Sequence, residues 1–138
     1  MIIIKNNINK DIKKNYILAE INIKEDGDIN KDIRIINSFE DCKRMNNWKN
    51  EENDYIYVNE EEIKENCVIK INNNMIPLIY LYQFKEKGKF IIEYSFKNNI
   101  KNTDFMFYKC NSLTKFDLSD FNTQNATEMS YMFTGCSG

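Results

Sequence analysis

The sequence predicts a mainly β fold with minor helix. A small antiparallel, sandwich-like module is expected to cap the first coils of a repeat solenoid. Three observations carry this. Residues 16–23 and 90–96 alternate apolar with polar side chains, the period of a half-buried strand. Short Asn- and Gly-containing turn signals separate such runs. Near the end, Met106-Phe107-Tyr108-Lys109-Cys110 returns as Met132-Phe133-Thr134-Gly135-Cys136, at an offset of 26 residues. A fixed period in this range marks architectures whose units bury their apolar faces only by stacking.

Taken in chain order, Tyr16–Ile23 sets Ile17, Ala19, Ile21 and Ile23 on one face of a strand. Asp26-Gly27 is a turn, and Asp32–Ile36 a second strand. Ser38-Phe39-Glu40-Asp41 resembles a capping box that opens a short helix through Met45, with Cys42 and Met45 facing inward. Residues 46–58 read as a polar loop anchored by Trp48, Tyr55 and Tyr57. Asn59-Glu60-Glu61-Glu62 suits a helix start, where acids favour the dipole. An antiparallel meander follows: Cys67–Ile71, an Asn72–Asn74 turn, Met75–Phe84 with Pro77 hinting at an edge or bulge, a turn at 86–89, and Phe90–Phe96. These strands assign residues 1–98 to a β-rich module and residues 99–138 to one partial and one complete coil.

The coil has its own internal spacing. Leu113, Phe116, Leu118 and Phe121 fall in the L-x-x-L-x-L-x-x-(N/C) pattern of a leucine-rich repeat, with Phe121 at the Asn/Cys place. Phe116 and Leu118 share one strand face, which leaves Lys115, Asp117 and Ser119 on the other. Ala126, Met129, Met132, Phe133 and Cys136 then follow at three- and four-residue steps, a helical or 3₁₀ return. Phe116-Asp117-Leu118-Ser119-Asp120-Phe121-Asn122-Thr123-Gln124-Asn125-Ala126-Thr127 and the following Met129-Ser130-Tyr131-Met132-Phe133-Thr134-Gly135-Cys136 resemble the BspA-like leucine-rich-repeat family, also described as the bacterial surface protein 26-residue repeat. Phe116 stands for a Leu and Ala126 for a Val of that pattern. The resemblance is strong over about residues 100–138 and weak upstream, where some protist members carry a β-rich segment. It implies a binding or scaffold protein whose exposed strand face, here Lys115, Asp117 and Ser119, meets ligands.

Composition narrows the function. Formal net charge is −2, and residues 99–138 hold three lysines against four acids, so neither nucleic acid nor an anionic membrane is an expected partner. No stretch is long enough to span a membrane. Met1–Ile4 is apolar, but Lys5 ends it short of a signal core. As written the chain reads as cytoplasmic, or as a cell-surface protein if a native signal precedes it. There is no histidine, so the commonest general base and any Ser/His or Cys/His pair are absent, and no enzyme is expected. Cys42, Cys67, Cys110 and Cys136 lack metal-ligand spacing, and no cofactor is expected. Cys110 and Cys136 hold equivalent repeat positions. One coil apart, at roughly 5 Å, they would be near bonding range, or would pack as small apolar groups.

Protein partners remain. A coil that ends the repeat is expected to leave Phe121, Met129, Met132 and Phe133 partly uncovered, as an end where further repeats or a second subunit stack head to tail. The chain is alternatively an N-terminal cap of a longer repeat protein. A surface adhesin that binds carbohydrate through Tyr80-Leu81-Tyr82 and Tyr94-Ser95-Phe96 is a third reading, with Asn125-Ala126-Thr127 as its glycosylation sequon.

Overall fold

The computed structural model describes residues 14–98, 100–122 and 128–136. Met1–Lys5 and the Asn125 sequon lie outside them. A five-stranded sheet in the order β4-β3-β6-β1-β7 organises the molecule, and every neighbouring pair in it is antiparallel. Its strands are β1 (Tyr16–Ile23), β3 (Cys67–Ile71), β4 (Asn74–Ile76), β6 (Gly88–Phe96) and β7 (Thr114–Asp117). A separate ribbon pairs β2 (Asp32–Arg34) with β5 (Leu81–Gln83). Two short helices complete the fold: α1 (Phe39–Asn46) and α2 (Glu60–Asn66).

The alternation in the sequence fixes which face is buried. Ile17, Ala19, Ile21 and Ile23 of β1 lie inside with Ile69 of β3 and Ile92, Tyr94 and Phe96 of β6. Leu18, Glu20 and Asn22 turn to the other, partly solvated face. The buried face is not covered by a full second sheet, as a sandwich would require. Ile33, Ile35 and Phe84 from the ribbon region, Ile63 of α2, and Met106, Phe107, Cys110 and Leu113 complete one core with the sheet. The Tyr94 hydroxyl donates to the Ile35 carbonyl and ties the sheet to that cover.

The predicted strand Met75–Phe84 divides in two. Its first half pairs with β3 as β4 and its second crosses to the ribbon as β5, with Pro77 between them. Proline has no amide hydrogen to give a ladder, so the break falls where pairing is weakest. Met45 of α1 is exposed, whereas Cys42 is buried. Tyr55 is exposed too, so of the three loop aromatics only Trp48 and Tyr57 pack, against Phe39 and Phe105.

No set of parallel coil strands is present among the described residues. The repeat's strand, β7, pairs antiparallel with β1 at Leu18–Asp117 and Glu20–Thr114 instead of lying parallel to another coil. The register shifts at Lys115, whose φ is +51°, and this bulge takes β7 out of an even ladder. Residues 128–136 form turns and not a helical return.

Candidate interaction site

The 26-residue echo is a physical stack. Residues 103–110 form three overlapping turns, in which the amides of Met106, Tyr108 and Cys110 donate to the carbonyls of Thr103, Phe105 and Phe107. One repeat later, Thr134 and Cys136 donate to Tyr131 and Phe133 in the same pattern. Phe105 and Lys109 have φ of +62° and +56°, and their equivalents Tyr131 and Gly135 have +56° and +80°. A left-handed residue at the third turn position is what a type II turn requires. Three- and four-residue apolar spacing, which suits a helical or 3₁₀ return, is satisfied here by consecutive turns.

The two turn rows meet edge to edge. Amides of Thr103, Phe105, Phe107 and Lys109 donate to the carbonyls of Glu128, Ser130, Met132 and Thr134 at 2.8, 3.0, 2.9 and 2.8 Å. Asn102 and Glu128 form a parallel bridge at the start of the row. Equivalent rings stack: Phe105 on Tyr131 at 5.0 Å and 26°, and Phe107 on Phe133 at 5.7 Å and 14°. Cys136 Sγ donates to the Phe107 carbonyl at 2.9 Å. Cys110 and Cys136 are free thiols, and burial pushes the Cys110 thiol well up, so it stays protonated. The Asp104 side chain takes part too. Its Oδ1 accepts the Ser130 amide, while its Oδ2 is buried without a partner. Burial raises its carboxyl above the usual range.

The row has two different edges. On the first, the carbonyls of Asn102, Asp104, Met106 and Tyr108 occupy the places that Glu128, Ser130, Met132 and Thr134 occupy one repeat on. No earlier turn covers them. Asn59 Nδ2 donates to Asp104 at 2.7 Å and Asn102 at 3.3 Å. Asn37 donates from its backbone to Met106 at 2.6 Å and from Nδ2 to Tyr108 at 3.1 Å. Both asparagines are buried. On the far edge, the amides of Met129, Tyr131, Phe133 and Gly135 are the repeat equivalents of the four donors, and among the described residues they meet no carbonyl. Around them Met129, Tyr131 and Phe133 are 41%, 56% and 37% exposed, beside half-buried Leu118 and Phe116. A row of unpaired amides beside apolar rings is a template for another strand or turn.

The sequence-predicted residues divide accordingly. Met129 and Phe133 lie on the open edge. Phe121 and Met132 do not: both are buried, Phe121 against Phe96 at 5.3 Å and Met132 in the main core, near Thr103. The tight turn in which the Phe121 amide donates to Leu118 places its ring against Phe96 of the sheet, and Met132 is the one buried residue among those described in the second row. Lys115, Asp117 and Ser119 are exposed, but partly engaged: Lys115 Nζ is 3.8 Å from Glu20, and Asp117 accepts both the amide and the hydroxyl of Ser119. Those bonds hold the Asp117 carboxyl below its usual range. Tyr131, Asn37 and Asn59 were missed. Tyr131 aligns with Phe105 and was legible as a stacked ring. The asparagines carry no local signal in an Asn-rich chain.

No metal-binding cluster occurs among the described residues, and no helix there is long and apolar enough to cross a membrane. Tyr94 and Phe96 are in the core, and half-buried Tyr80 has its hydroxyl bonded to Ser38 and Glu60, while Tyr82 is half-buried against Phe84. No curated protein and no solved structure matches the chain. Residues 80–138, from just ahead of β5 through both turn rows, match a family described as Mycoplasma protein of unknown function, DUF285, which is coarsely consistent with a relation to BspA-like surface repeats.

Proposed function

We propose that this chain is a non-catalytic interaction protein. Its β module closes one edge of turn rows that recur every 26 residues, and the second described row offers its other edge to a further polypeptide turn. The rows are read as successive coils of the leucine-rich type. One observation carries this: the amides of Met129, Tyr131, Phe133 and Gly135, which meet no carbonyl among the described residues, are the repeat equivalents of four amides that already bind a turn. An occupant would add four backbone hydrogen bonds and ring stacking on Tyr131 and Phe133, the mode by which strands extend an exposed edge. The β7 face of Lys115, Asp117 and Ser119 is the weaker ligand surface, since its side chains already pair within the chain.

The test is a titration of the labelled chain with a synthetic peptide that copies residues 101–113. Its free carbonyls reproduce the acceptor row. Amide resonances of Met129, Tyr131, Phe133 and Gly135 are expected to shift, and their exchange to slow. Shifts confined to Lys115, Asp117 and Ser119, or none, would reject the edge as the binding site.

A further inference from the structure

We infer that Asn37 and Asn59 are a stop that prevents this chain from stacking on itself, and so make the open edge selective for a turn whose carbonyl row is free. The inference rests on the open edge proposed above and adds which partner it refuses. The open edge is made of donors, so its occupant must bring acceptors. Two copies meeting open edge to open edge would set amides against amides and leave them desolvated and unsatisfied. Head-to-tail stacking would need the other edge of the second copy. There the carbonyls of Asn102, Asp104, Met106 and Tyr108 are already taken by the two asparagines.

The mimicry extends beyond hydrogen bonds. Phe39 packs on Phe105 at 5.4 Å and Tyr57 joins it at 6.0 Å, on the same ring that Tyr131 stacks on at 5.0 Å. The module thus supplies a ring where a preceding turn would. The asparagines are fixed in turn. Asn37 Oδ1 accepts the Ser38 amide and Asn59 Oδ1 accepts the Phe39 amide, both at 2.9 Å. The Glu40 carboxylate accepts the amides of Asn59 and Glu60. A cap held at both its acceptor and donor atoms does not swing aside for an incoming copy.

The experiment uses the full chain. Sedimentation velocity over a wide concentration range is expected to show a single monomeric species. Exchange at Tyr131, Phe133 and Gly135 is expected to be about tenfold or more faster than at Phe105, Phe107 and Lys109, and independent of concentration. Concentration-dependent slowing at the first three amides overturns the inference. In Asn37→Asp/Asn59→Asp the acceptor oxygens remain while the side-chain donors to Asn102, Asp104 and Tyr108 are lost, so three of the four carbonyls are freed and the Asn37 backbone amide stays on Met106. This variant is expected to associate head to tail, and adding Phe133→Asp to return it to monomer. A folded double variant that stays monomeric also overturns the inference. If the double variant does not fold, the exchange measurement on the unmodified chain decides. Failure of peptide binding would reject the open edge but not the cap. Self-association of the unmodified chain would reject the cap but not the edge.

Discussion

Gly135 and Lys109 hold the same left-handed backbone one repeat apart, yet only one of them is a glycine. The reason lies between them. A Cβ on Gly135 would stand 2.8 Å from Lys109 Cγ and 3.3 Å from the Lys109 backbone. The second turn therefore approaches the first at the distance that four amide–carbonyl bonds demand only without a side chain there. Gly135→Ala combines that clash with the ordinary penalty of a left-handed alanine, and is expected to cost about 1–2 kcal/mol in urea unfolding. The Lys109 amide, which donates to Thr134, should lose exchange protection first. Elsewhere asparagine serves the same conformational purpose. Asn30, Asn47, Asn72 and Asn73 all have positive φ; Asn47 ends α1, and Asn72-Asn73 turn β3 into β4. Asparagine tolerates this region because its short polar side chain bonds locally. The hairpin was legible for that reason. Asn37 and Asn59 were not, because their partners lie between residues 102 and 108 and nothing in the local pattern points there.

Each helix is too short to be stable alone, and an ion pair joins the two, while α1 also pairs with Arg34 and Asp54 outside it. Ser38 caps α1 by accepting the Asp41 amide, as its capping-box sequence indicates. Asp41 pairs with Arg34 at 2.7 Å, and Arg44 of α1 pairs with Glu60, the first residue of α2. Glu60 also accepts from the Tyr80 hydroxyl. Arg44 foremost, helped by Tyr80, holds the Glu60 carboxyl below its usual range despite partial burial. A carboxyl whose folded value is depressed stabilises the fold above its unfolded value, and loses that contribution as pH falls through the folded one. Stability is therefore expected to decline below about pH 4.5, in part through Glu60, since unfolded glutamate titrates near there. Glu60→Gln should flatten this acid limb in urea midpoints measured against pH. At this scale the sequence was informative where periodicity was clean: β1, β3 and β6 stand where alternation puts them and α1 where its Ser38 cap does, while α2 starts after Asn59 without a side-chain cap from it. It misled where one local pattern fits two structures. Apolar steps of three and four suit a helix, and they also suit overlapping turns with left-handed residues at fixed places.

The turn rows and the sheet share one core. Phe107 lies 4.9 Å from Tyr94 of β6, 5.0 Å from Phe116 of β7 and 5.7 Å from Phe133 of the second row. The pairing of β1 with β7 joins the two stretches of sequence through hydrogen bonds as well. A single cooperative transition follows. Trp48 fluorescence, which reports on the cluster of Phe39, Phe105 and Tyr108, should give the same urea midpoint as far-ultraviolet circular dichroism, which reports on the sheet. Distinct midpoints would mean that the rows form a unit of their own. The cap in this assembly comes from residues 37 and 59, ahead of both turn rows in sequence, and the amides that meet no carbonyl among the described residues lie in the later row. The direction of the row is therefore the direction of synthesis. As the chain leaves the ribosome, the closing wall is completed before the first turn needs it, and each new turn finds donors already in position.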